Sequence, residues 1–221
     1  MKILLLSALN SVHTIKWANS LSESGIEVHI VGLTSYDKDA YRSSIYIYSL
    51  NFNKTVKNSD GSYRKLKYIK VLPFIRKKIK EIKPDVLHAH YASSYGLLGA
   101  LCGFHPFVVS VWGSDVYDFP KISLLHKLLL KFTLFKADEI LSTSEVMARE
   151  TGKYVTKKIH VTPFGINTKV FYSYKSESIF SDNEIIIGTI KTLEEKYGIE
   201  YLINAFYKVK MRNPSIPLKL L

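Results

Sequence analysis

One feature constrains the fold more than any other: short strand-like runs, the clearest being the continuous apolar run at Lys2–Ser7, alternate with helix-like stretches. The runs fall at residues 2–7, 28–33, 85–90, 107–112, 139–144 and 158–163. A strand that is apolar at consecutive positions is buried on both faces, which is the habit of a parallel sheet. The intervening stretches, 14–24, 66–83, 95–102, 123–136 and 145–151, read as helices. In 66–83 the apolar positions Leu66, Ile69, Leu72, Ile75, Ile79 and Ile82 share one helical face. Pro73 is expected to kink that helix and Pro84 to stop it. Strand–helix alternation implies an α/β, Rossmann-like, doubly wound and mostly parallel sheet. Residues 34–65 are polar and irregular, except for a strand expected at 45–50.

Periodicity fades after Gly165, and a fresh β-α-β pattern opens at Glu184, with a strand at 184–190, a helix at 199–210 and a strand at 217–221. The expected organisation is a first domain at 1–165, a linker at 166–183 and the start of a second domain at 184–221. The chain stops inside the apolar run Leu218-Lys219-Leu220-Leu221. Two parallel strands do not close a core, so the second domain is expected to be truncated and the chain to be a fragment.

Composition narrows the class. At 47% apolar and 23% charged residues the chain is not disordered. Its single cysteine, Cys102, excludes a disulfide framework and any multi-cysteine metal site. No run approaches the roughly 18 apolar residues of a membrane span. The apolar opening after Met1 is too short for a signal peptide, because Ser7, Asn10, Ser11 and His13 follow at once. Lysine and arginine number 31 against 19 acids, a net charge of +12 that draws polyanions. No nucleic-acid recognition motif appears, so nucleic acid is not the expected partner.

The glycine-rich dinucleotide and P-loop fingerprints and the G-x-S-x-G elbow are absent. Ligands of a doubly wound sheet gather at the carboxyl ends of its strands. The candidates are therefore Asn10 and His13 after the first strand, His90 at the end of 85–90, and Trp112, Ser114 and Asp115 after 107–112. His88 and His90 share a strand face. An H-x-H pair suits a metal hydrolase, but no further ligand is marked, and a structural role for His88 stays open. Asp37-Lys38-Asp39 reads as a solvated turn. Lys191 and Lys196 lie between a strand end and a helix start, where a diphosphate would meet both lysines and free backbone N–H groups. A charged loop neutralised by Glu194 and Glu195 explains the same residues.

Four stretches in series resemble the GT-B glycosyltransferases, specifically the retaining family four (glycosyl transferases group one). They are Lys83-Pro84-Asp85-Val86-Leu87-His88-Ala89-His90-Tyr91, Val109-Ser110-Val111-Trp112-Gly113-Ser114-Asp115-Val116, Lys158 through Asn167, and Ile187-Gly188-Thr189-Ile190-Lys191 through Gly198. The resemblance implies an acceptor-binding N-terminal Rossmann-like domain and a C-terminal domain that binds a nucleotide-diphospho-sugar. It places Lys191 and Lys196 on the donor diphosphate and His90 near the acceptor, as the catalytic candidate. His13, Asn10, Trp112, Ser114 and Asp115 fall on the acceptor side. It implies no cofactor and no metal. Trp112 stands where the family commonly has histidine, and the first loop lacks the family's glycines. The family's paired-glutamate donor segment lies beyond residue 221, so this chain alone is expected to be inactive. The implied acceptor is an envelope polysaccharide or a lipid-linked sugar. The implied location is cytoplasmic, with peripheral contact to the inner membrane face.

That last point has support in the residues. Lys65, Lys67, Lys70, Arg76, Lys77, Lys78, Lys80 and Lys83 cluster on the 66–83 helix, and Lys121, Lys127, Lys131 and Lys136 punctuate a leucine-rich helix at 123–136. A basic amphipathic helix suits an anionic membrane surface, and equally a solvated outer face. A non-catalytic binding or scaffold module of the same fold is the alternative function, and a His-x-His hydrolase a further one.

Overall fold

The computed structural model describes residues 1–50, 68–173, 180, 181 and 183–221, and of Lys196 the backbone alone. Lys65, Leu66 and Lys67 lie outside the described residues. The chain divides into two compact units, Met1–Gly165 and Ile166–Leu221.

The first unit runs β1 (Lys2–Leu6), α1 (Val12–Glu23), β2 (Glu27–Gly32), β3 (Tyr46–Ser49), α2 (Leu72–Ile82), β4 (Val86–His90), α3 (Tyr95–Cys102) and β5 (Phe107–Val111). One-turn helices α4 (Ser114–Tyr117) and α5 (Phe119–Ile122) follow, then α6 (Leu124–Lys136), β6 (Glu139–Ser142), α7 (Glu145–Thr151) and β7 (Ile159–Val161). The seven strands form one sheet in the order β3-β2-β1-β4-β5-β6-β7. Every neighbouring pair is parallel. The order reverses between β1 and β4, which opens a crevice at their carboxyl ends.

Strand parity builds two cores. Leu4, Leu6, Leu87, Ala89, Val109 and Val111 point to one face, where α2, α3, α6 and α7 cover them. Ile3, Leu5, Val28 and Ile30 point to the other face, with Ala18 of α1. Burying each such side chain fully is worth about 1.5–3 kcal/mol. Gly99 lets α3 lie close on β5, because a Cβ there would stand 2.4 Å from the Phe107 ring.

Two expectations need correction. Pro73 does not kink a helix. It lies in the first turn of α2, where its missing N–H has no intrahelical acceptor in any case. Also α1 begins at Val12, so His13 sits in its first turn rather than in a loop.

The second unit holds β8 (Ile185–Ile187), a one-turn 3-10 helix at Glu195–Tyr197, α8 (Ile199–Arg212) and β9 (Leu218–Leu220). β8 and β9 pair in parallel as a two-stranded sheet. Among the described residues, no helix is long and apolar enough to cross a membrane.

Candidate functional site

The parity that fills the core with leucine also lays a polar seam on the α1 face of the sheet. On β4 the residues between Leu87 and Ala89 and after Ala89 are His88 and His90. One strand over, Ser110 alternates with Val109 and Val111, and Ser7 follows Leu6. All four are buried. Buried polar groups must be paired to be tolerated, and these pair with each other. His88 Nε2 lies 2.8 Å from Ser110 Oγ. His90 Nδ1 lies 3.0 Å from Ser7 Oγ, which is 2.6 Å from Thr14 Oγ1 on α1. His90 Nε2 is buried without a partner.

Aromatic rings roof this seam. Trp17 of α1 stands edge-on to His88 at 5.6 Å and tilted to His90 at 5.9 Å between ring centroids. Trp112 lies 4.6 Å from His90. Above it, His13 stacks on Phe164 at 3.7 Å, and Trp112 meets both edge-on, at 5.6 and 5.4 Å. Lys16, one turn along α1, donates from Nζ to the carbonyl oxygens of Phe164 and Gly165 at 2.7 and 2.8 Å. It thereby holds the segment after β7 against α1.

The three histidines differ in environment. Burial pushes the His88 imidazole down to about 4. His90 is held well below the ordinary value by burial, then by its neighbours His88 and His13. His13 is exposed; partial burial and then the Lys16 ammonium lower its value as well. At neutral pH all three are therefore neutral, able to accept a proton or a hydrogen bond.

Asp115 has a structural task. Its carboxylate accepts the backbone N–H groups of Ala92 (2.8 Å), Trp112 (3.1 Å) and Gly113 (2.8 Å). It ties the turn after β4 to the turn after β5. Gly113, with φ of +142°, supplies the backbone conformation that this tie requires. Asp115 is fully buried, and burial raises its carboxyl pKa against the three bonds that lower it. Both oxygens are engaged, so the side chain acts as a strut beneath the rim rather than as a group facing it. Tyr91, a non-glycine residue at φ of +78°, joins the same turns by a bond between its hydroxyl and Ser114 Oγ.

The structure thus brings His13, Trp112, Ser114 and Asp115 together with His90. Asn10 is exposed on the turn between β1 and α1. His90 lies under the indole and not on the open rim. Its Nε2 is buried without a hydrogen-bond partner among the described residues. Sequence reasoning alone does not single out Phe164, Trp17, Ser7, Thr14 or Ser110 as members of the site. The parity that pairs His88 with His90 is the signal that finds Ser7 and Ser110.

Among the described residues, no group of three His, Cys, Asp or Glu side chains could hold a metal ion. His88 Nε2 is spent on Ser110. Asp37 caps a one-turn 3-10 helix, accepting the Asp39 N–H at 3.0 Å, as a turn would. In the second unit, Lys191 is exposed, its Nζ 5.0 Å above the Tyr197 ring. The Lys196 side chain lies outside the described residues.

Comparison with known proteins decides the family. The family described as "Glycosyl transferase 4-like" matches residues 2–144, which is most of the first unit. The chain belongs to the glycosyl transferase 4-like family. An uncharacterized glycosyltransferase of Methanocaldococcus jannaschii is 26% identical over 152 residues, covering 67% of this chain and 41% of that protein. The chain thus spans less than half the length of that relative. Among solved structures, a sucrose-phosphate synthase from Thermosynechococcus elongatus matches all of this chain and 61% of its own, with a TM-score of 0.71 at 14% identity. A glycosyltransferase from Rickettsia africae ESF-5 matches all of this chain and 67% of its own, with a TM-score of 0.62 at 16% identity. At those identities the likeness is one of fold. The seven-stranded parallel sheet is the Rossmann-like architecture of GT-B glycosyltransferases.

Proposed function

We propose that the His13–Trp112–Phe164 rim is the acceptor side of a retaining, nucleotide-sugar-dependent hexosyltransferase. The observation that carries this reading is that rim itself, an exposed neutral imidazole set among aromatic faces. Aromatic faces suit the apolar faces of a sugar ring. A neutral imidazole beside them suits an acceptor hydroxyl, whose proton must leave as the new glycosidic bond forms. His90 supports the Trp112 platform from beneath, and its open Nε2 reaches a substrate only where the indole moves aside.

On the donor side, the bond from the anomeric carbon to the diphosphate breaks through an oxocarbenium-like centre. Negative charge builds on the leaving diphosphate, and Lys191 and Lys196 answer it without a metal. The acceptor is a sugar presented at an anionic lipid surface, the cytoplasmic face of the membrane, which fits the charge of +12. The 221-residue chain alone binds acceptor but does not complete transfer.

The test is sugar transfer to lipid and polysaccharide acceptors from a panel of nucleotide-sugars, by the complete gene product and by this chain. Transfer by the former that falls at least about a hundredfold in a His13→Ala or Trp112→Ala variant supports the reading, that factor being the usual weight of a positioned acid–base group. Undiminished transfer in both variants removes the rim from the mechanism. Transfer by the 221-residue chain ends the claim that it does not complete the reaction alone.

A further inference from the structure

Two basic helices are candidates for the lipid contact, and the structure treats them differently. On α2 the apolar residues Leu72, Ile75 and Ile82 are buried. The outward residues Arg76, Lys77, Lys80 and Glu81 are charged, and Lys77 and Lys78 are paired with Glu81. That is a solvated helix face.

On α6 the inner face is also filled, by His126, Leu130, Thr133 and Leu134. Yet the outer face is apolar as well: Leu124 is 72% exposed, Leu128 53% and Phe135 69%. At 3.6 residues per turn these three fall on one line, with Leu125 and Phe132 beside it. Lys127 and Lys131 flank that line on one side and Lys136 on the other. Just before the helix, Ile122 and Lys121 are exposed too. From Phe119 to Lys136 there is no acidic residue. A helix face that carries an apolar line of this length is ordinarily covered, and among the described residues Leu124, Leu128 and Phe135 stay exposed.

We propose that the outer face of α6 is the surface by which the chain lies on an anionic lipid bilayer. This rests on the lipid-surface reading above and names the surface that performs it. The charge decides the occupant. Lysines that fringe an apolar ridge on both sides match a layer whose headgroups are negative and whose interior is apolar. Their aliphatic stems extend the ridge while the ammonium groups reach the headgroups. Leu124 and Leu128 stand exposed at the start of the ridge, while Phe132 and Phe135 at its end border an open pocket with Gly152, Tyr154 and Val155; the fringe of lysines, and not the shape of the face, is what favours a lipid layer. In chain order only the one-turn helices α4 and α5 separate the turn at Trp112 and Gly113 from α6.

The test is flotation of the full chain with vesicles of phosphatidylcholine alone and of phosphatidylcholine mixed with phosphatidylglycerol. Binding is expected to the mixed vesicles only. It should weaken about tenfold or more in a Leu124→Ser, Leu128→Ser, Phe135→Ser variant, and comparably in Lys127→Gln, Lys131→Gln. Lys77→Gln, Lys80→Gln on α2 should leave it within about twofold, the loss being one of long-range charge alone. All replaced side chains are exposed, and an unchanged circular dichroism melt certifies the fold. If α2 substitution abolishes binding and α6 substitution does not, the assignment to α6 is overturned while the lipid reading stands. If the native chain floats with neither vesicle, the lipid reading itself falls. If it instead runs as a dimer that the serine variant dissociates, a second copy covers this face and the proposal is wrong.

Discussion

The two units are written in the same alternating pattern but hold themselves together unequally. In Met1–Gly165, each central strand is covered on both faces and contributes fully buried leucine, isoleucine or valine. In Ile166–Leu221, α8 buries none of its side chains, and Leu218 is the one buried hydrophobic among the described residues. Tyr201, Ile203, Tyr207, Val209 and Met211 of α8 stay exposed. The lesson is that βα periodicity specifies local structure, whereas cohesion requires a sheet wide enough to be covered on both sides.

The sharpest way to break that contrast is truncation of one side chain in each unit. Leu6→Ala, at a fully buried position of β1, should cost about 2–5 kcal/mol. Ile203→Ala, at a position 52% exposed, should stay within about 0.5 kcal/mol. Urea unfolding of both variants checks this, and equal costs would refute the contrast.

Acid should act on the first unit and hardly on the second. His88 takes its proton only near pH 4 in the folded chain, against an ordinary value of 6.5. Between those values the unfolded state binds more protons, so stability falls as pH drops from 6.5 toward 4, by about 3 kcal/mol for this group. Above 6.5 the group contributes no slope. His90 adds in the same direction. Urea midpoints across that window should drift steeply in the native chain and less in His88→Gln, which has no proton to gain.

A smaller effect localises within the rim. Asp115→Asn weakens three charge-assisted bonds and places an amide N–H₂ among donors. It should cost about 2 kcal/mol and speed amide exchange at Ala92, Trp112 and Gly113 selectively. The smallest effect belongs to the anchor after β7. Lys16→Met keeps the stem, frees the carbonyls of Phe164 and Gly165, and should cost about 1 kcal/mol or less. It should show as faster exchange around residues 164–166 with the core unchanged.

Much of the fold is legible without coordinates, for a physical reason. A run such as Ile3-Leu4-Leu5-Leu6 between turn signals has one comfortable home, the middle of a parallel sheet. The helix from Leu124 is equally plain, with Ser123 accepting its His126 N–H as a cap. The one-turn helices at Ser114–Tyr117 and Phe119–Ile122 are not, because four residues carry no period to detect. The site is legible only in outline. Strand ends point to His13, His90, Trp112 and Ser114, but burial separates what lies on the rim from what lies below it. Asp115 illustrates this. Its position after β5 suggests a ligand, while its three backbone partners come from two turns, and one of them, Ala92, lies 23 residues from it in the chain. Phe164 is hidden for a like reason, since its stacking on His13 joins residues at opposite ends of the first unit.

The grip of Lys16 on the last two carbonyls of that unit has a mechanical consequence. The backbone at Phe164 and Gly165 is tied by a single ammonium to α1, three residues from His13. Exchanging that ammonium for an apolar tip would loosen the seat of Phe164 against the His13 ring while β7 kept its register.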